Sequence, residues 1–134
     1  MKLLTALLCF VASVFAPSAP AAAEERVHCN LSVLSKADRA RDPQLVAVLR
    51  DEFLERRELD DGYAYRFRPG ALRDLGEWLA IVVKCCQPLS YTVSLEPQPG
   101  GNLWVRITGH DAKEFIDLEF TALTQKRPAH GAAE

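Results

Sequence analysis

The amino-acid sequence predicts an α+β fold: a mainly antiparallel four-stranded sheet, made of two hairpins joined by a helix, with helices packed on one face. Three features carry that reading. Tyr63, Tyr65 and Phe67, and again Leu103, Val105 and Ile107, recur at the period of two that belongs to a half-buried strand. Residues 71–86 repeat apolar side chains at helical spacing. The breaks between these runs, Asp61-Gly62, Pro69-Gly70 and the stretch from Pro97 to Asn102, have turn chemistry.

The N-terminus reads as an address and not as part of the fold. Lys2 supplies a positive start, Leu3 to Phe15 is almost wholly apolar, and Ala21-Ala22-Ala23 forms a small-residue cleavage site ahead of Glu24, Glu25 and Arg26. This pattern predicts a secretory signal peptide over residues 1–23, cleaved after Ala23, and a periplasmic or secreted protein. The apolar run is too short to cross about 30 Å of hydrocarbon, so no membrane association is expected once it is removed. What remains is one α+β domain over residues 24–124 and a loose polar tail over residues 125–134.

Within the domain, Val27 to Leu34 reads as a short extended segment. Asp42 followed by Pro43 reads as the N-cap and first residue of a helix running to about residue 53, with Leu45, Val48, Leu49 and Phe53 on one face. Arg56 to Leu59 reads as a strand that turns at Asp60-Asp61-Gly62 into the strand Tyr63 to Phe67. Arg66 and Arg68 then fall on the face opposite the aromatics, as a solvated sheet surface rather than an anion site. The central helix runs from about Ala71 to Lys84. Leu72, Leu75, Leu79, Val82, Val83 and Cys86 form its apolar stripe, widened by Trp78, Ile81 and Cys85. Tyr91 to Leu95 and Leu103 to Thr108 form the second hairpin. Asp111 and Glu114 have the form of a capping box that opens a last helix through about Leu123, with Phe115, Leu118 and Leu123 toward the sheet.

Composition narrows the function classes. The 134 residues carry 16 Lys and Arg against 18 Asp and Glu, a formal net charge of −2, and no basic patch that would predict nucleic acid as a partner. No Ser/His/Asp arrangement, phosphate-cradling glycine loop or paired-carboxylate motif is present, so a binding protein is favoured over an enzyme.

The chemistry-bearing residues are cysteines. Of the 4 in the chain, Cys9 leaves with the signal peptide, and Cys29, Cys85 and Cys86 remain. An odd number permits at most one intramolecular disulfide and leaves one thiol over. Cys85 and Cys86 stand at the end of the central helix, where the negative end of the helix dipole disfavours thiolates unless a cation offsets it. Three sulfurs that converge suit a soft thiophilic ion such as Cu(I), Hg(II), Zn(II) or trivalent arsenic, with His28 as a fourth ligand. Two other readings stay open: a thiol–disulfide redox protein using the vicinal pair, and a structural or interaction domain with one disulfide and a spare thiol. His110, before the last helix, and His130, in the tail, are weaker candidates. No protein partner is indicated.

The stretches Asp61-Gly62-Tyr63-Ala64-Tyr65-Arg66-Phe67, the helix from Leu75 to Cys86, Leu103-Trp104-Val105-Arg106-Ile107-Thr108-Gly109 and Lys113-Glu114-Phe115 resemble an uncharacterised family of small bacterial proteins. A looser echo occurs in Cys29-Asn30-Leu31-Ser32. In that family Pro-Phe follows the paired cysteines, where this chain has Gln87-Pro88. The resemblance implies the order of elements and the three cysteines, and no reaction.

Overall fold

Residues 27–125 are described by a computed structural model. The expected signal peptide over residues 1–23, His130 and all of the expected tail but Gln125 lie outside them. The chain runs through β1 (His28–Cys29), α1 (Lys36–Glu52), β2 (Phe53–Leu59), β3 (Gly62–Phe67), α2 (Leu72–Cys85), β4 (Cys86–Gln87), β5 (Ser90–Leu95), β6 (Leu103–Thr108) and α3 (Lys113–Glu119). Short 3-10 turns lie at Leu31–Val33, Pro69–Ala71 and Thr121–Leu123. The main sheet is antiparallel in the order β2-β3-β6-β5, and β1 pairs with β4 in a separate two-stranded ribbon. This is the predicted α+β class, with two hairpins joined through α2.

The alternation read from the sequence sets the sheet's inner face. Tyr65, Phe67, Leu103 and Ile107 are fully buried, with Tyr63 and Val105 nearly so, and register pairs Tyr63 with Ile107, Tyr65 with Val105 and Phe67 with Leu103. Leu45 and Leu49 of α1, Leu75, Trp78 and Val82 of α2, and Ile116 and Phe120 of the C-terminal segment join them in one core. Trp78 meets Phe120 edge to face, with ring centroids 5.6 Å apart. On the other face, Arg66 pairs with Glu96 and Glu55 and lies beside the Trp104 ring. Arg68 is held by Glu52 at 2.9 Å. Both arginines are thus neutralised within the chain, in keeping with a sheet surface and not an anion site.

Several local readings change. α1 begins seven residues earlier than Pro43, because Ser35 makes a true capping box: its Oγ accepts from the Asp38 amide at 3.0 Å, and the Asp38 carboxylate accepts from the Ser35 amide at 3.4 Å. Pro43 lies inside the helix, where it forfeits one main-chain bond, and Asp42 is an interior residue and not a cap. Phe53 already belongs to β2, and Val48 is exposed.

The buried stripe of α2 is Leu75, Trp78, Ile81, Val82 and Cys85. Leu72 and Val83 face outward, because the large Trp78 side chain centres the buried arc on its own row. Asp111 makes no cap; it takes a φ of 51°, and Ala112 precedes α3 without a side-chain bond. α3 buries Ile116, followed by Phe120 and Leu123, while Leu118 is exposed.

Among the described residues, three ion pairs tie α1 to α2, one of them between Arg41 and Asp74 at 3.8 Å. Arg41 donates to both oxygens of Glu77, at 2.7 and 2.9 Å, and Lys84 donates to Asp38 at 3.0 Å. Arg41 holds the Glu77 carboxyl, and Lys84 that of Asp38, below the usual range.

Candidate functional site

The end of α2 and the start of β4 separate two neighbouring sulfurs by conformation. Cys85 is the last helical residue, and Cys86 has left the helix at φ −104°, ψ 90° to form β4. That short strand receives β1: Cys29 stands opposite Cys86 and His28 opposite Gln87. The Asn30 amide then donates to the Cys85 carbonyl at 2.7 Å, which satisfies one of the open carbonyls at the helix end. The Asn30 side chain accepts from the Ser32 amide at 3.1 Å and shapes the turn that follows. Backbone pairing therefore accompanies the disulfide in holding Cys29 at the helix end.

Cys29 and Cys86 are joined by a disulfide, and Cys85 is a buried free thiol. The bonded pair is not the vicinal one. Cys85 Sγ lies 3.6 Å from Cys86 Sγ and 3.6 Å from the Val82 carbonyl oxygen. All three sulfurs lie within 4.8 Å of one another. The three cysteines predicted as ligands are thus brought together, in the order a helix end, a turn and a paired strand dictate.

His28 does not join them. Consecutive side chains of a strand point to opposite sides, and His28 is exposed while its neighbour Cys29 turns inward. His110 pairs with Asp111 at 3.3 Å in the loop between β6 and α3, at a separate place in the fold.

Cys29, Cys85 and Cys86 form part of the wall of a cavity of about 110 Å³ between α1, α2 and the C-terminal segment. Most of the remaining wall is apolar, with Leu34, Val46, Trp78 and Val82 among its residues, but Asp42 and Glu119 also line it. Burial pushes the Asp42 carboxyl above its ordinary value, offset in part by a hydrogen bond from Trp78. Burial is also the largest influence on Cys85, raising its thiol, and the negative charges of Asp42 and Glu119 act in the same direction. Such a thiol is a poor nucleophile at neutral pH, because the thiolate is disfavoured by desolvation and by charge.

Sequence reasoning assigned Asp42 to a helix cap and gave Glu119 no role. Their approach to Cys85 follows from where α1 starts and how the last turn folds back, and neither has a local sequence signal. Among the described residues, no helix is long and apolar enough to cross a membrane. No family model, curated protein or solved structure matches the chain.

Proposed function

We propose that this protein captures a soft, thiophilic metal or metalloid ion through Cys29, Cys85 and Cys86, and that the Cys29–Cys86 disulfide is the closed state of that site. The observation that carries this reading is the convergence of three sulfurs within 4.8 Å, drawn from two parts of the chain. In the disulfide state Cys85 alone of the three offers a thiol. A dithiol reductant R(SH)2 opens the site by exchange: the Cys29–Cys86 bond breaks, both sulfurs take up a proton, and the reductant leaves as its own disulfide. Three thiols then face one point, and binding of Cu(I), Hg(II) or Zn(II) replaces their protons.

The reading extends to location. The export pattern at residues 1–23 supports a place in the periplasm or outside the cell, and a disulfide is compatible with an oxidising compartment. The alternative of thiol–disulfide cycling by the vicinal pair has less support, since Cys86 is bonded to Cys29 and the Cys85 thiol is held protonated.

Titration with Hg(II) or Cu(I) tests the proposal, with uptake read from the sulfur-to-metal absorption band. Reduced protein takes up one tightly bound ion. Oxidised protein, and a reduced chain carrying Cys85→Ala and Cys86→Ala, keep one thiol at the site and do not give the absorption band of several sulfurs on one ion. Equal uptake by the reduced protein and that variant removes the site.

A further inference from the structure

Three sulfurs alone can ligate a bare ion, but the three cysteines also line a cavity that a bare ion does not need. Its volume is about 110 Å³, and it is lined by Leu34, Val46, Trp78, Val82, Phe120 and Leu123 beside the cysteines. Leu31 and Ala122 are exposed and lie at its rim, which gives it a mouth at the surface. An apolar cavity of about 150 Å³ accepts benzene, so this one suits a short alkyl group or a compact ring that protrudes at the mouth. Asp42 and Glu119 add negative charge near the sulfurs, where an electropositive centre would sit.

We infer that the ligand class for this site is an organic derivative of a soft element, above all a monosubstituted trivalent arsenical. The arsenic binds cysteine sulfur, and its one apolar substituent fills the cavity. This inference rests on the soft-ion reading above. The chemistry balances without any redox step beyond opening the disulfide. An alkylarsonous acid, R–As(OH)2, condenses with two of the reduced thiols; two As–O bonds break, two As–S bonds form, and two waters leave. Inorganic arsenite, As(OH)3, would use all three thiols and release three waters. The substituent R is what separates the two, and the cavity is what recognises R.

The test uses the full chain with Cys9→Ser, fully reduced, so that no other thiol contributes. Affinities for arsenite and for methyl-, ethyl- and propylarsonous acid are measured by competition and divided by the affinity of each compound for a small free dithiol, which removes intrinsic arsenic–sulfur differences. Burial of each methylene in the cavity predicts a rise of about fourfold per added carbon. Val46→Phe, which fills the cavity from a partly buried position, should abolish that rise, leaving the propyl compound no tighter than the methyl one. Ala122→Leu at the rim serves as a second variant if Val46→Phe fails to fold.

A normalised affinity independent of R, unaltered by either variant, overturns the organic-ligand inference and leaves soft-ion capture standing. Failure of arsenite and all the alkyl compounds to bind, together with failure of Hg(II) and Cu(I), overturns both.

Discussion

The sulfur of Cys85 stands 3.6 Å from that of Cys86, although the first residue closes a helix and the second opens a strand. Two adjacent residues on a regular helix would point about 100° apart. The break between α2 and β4 redirects Cys86 toward Cys29 while Cys85 stays on the buried stripe of the helix. The cluster is therefore a product of a helix terminus, and changes to that terminus should be felt in both stability and sulfur chemistry.

The disulfide should be a main source of stability. It joins residues 57 positions apart, and closing a loop of that length in the unfolded chain corresponds to about 4 kcal/mol. Cys29→Ser should lower the unfolding free energy by about that amount in urea titrations, and reduction of the native protein should lower it similarly. A shift of the urea midpoint too small to register would show that pairing of β1 with β4 holds without the bond.

Cys85 should be inert in the folded protein. Iodoacetamide followed by peptide mapping should leave it unmodified at neutral pH and label it fully in urea. Because burial and nearby carboxylates raise its thiol above the ordinary value of 9.0, the unfolded state ionises first. The contribution of the neutral thiol to stability is thus complete below that value and declines as pH rises above it. Cys85→Ala should remove this alkaline decline, measured as the urea midpoint between pH 8 and pH 10.

At acid pH the sign reverses. The Glu77 carboxyl is held below its usual 4.5 by Arg41, so the unfolded state protonates first. The stabilisation is present above that value and is lost as pH falls through the folded value. Glu77→Gln should flatten the acid limb of the stability profile below about pH 4.5, with little change at pH 7 in high salt, where an exposed pair is screened.

Two glycines should respond to the same substitution with opposite signs. A methyl group on Gly62 would collide with the carbonyl oxygen of Ile107 and the Cα of Thr108, both main-chain atoms of β6. Gly62→Ala should therefore cost roughly 3 kcal/mol by forcing β3 and β6 apart. Gly76 lies in the interior of α2 with nothing within 4 Å of the added atom. Gly76→Ala should stabilise by about 0.5–1 kcal/mol, because a helix interior favours alanine over glycine. Thermal or urea unfolding of the two variants separates these outcomes.

The sheet was readable in advance because its signals are local. Tyr63, Tyr65 and Phe67 alternate on a strand that Asp61-Gly62 begins, and Leu103, Val105 and Ile107 repeat the pattern at the correct register distance. Helix boundaries were harder. Asp42-Pro43 has the chemistry of a helix start, yet Ser35 and Asp38 offered two reciprocal bonds farther upstream, and the longer helix buried Leu45 and Leu49 at no loss. The faces of α2 and α3 turned on which large side chain, Trp78 or Leu79, Phe120 or Leu118, the core could accommodate. That choice is made by packing between distant segments. At the sulfur site, the residue types pointed to the three cysteines, but their pairing and the carboxylates around them depend on β1 reaching β4, which no local pattern announces.

The Cys29–Cys86 bond also divides the molecule topologically. α1, β2, β3 and α2 lie inside one covalent circuit, while β5, β6 and α3 form an open strand of chain beyond it. The two parts are interleaved, since β6 of the open part docks on β3 of the circuit. A single proteolytic nick in the turn between β2 and β3 would accordingly release no fragment: both pieces would stay tethered through sulfur as well as through the sheet, and would separate only when reductant and denaturant acted together.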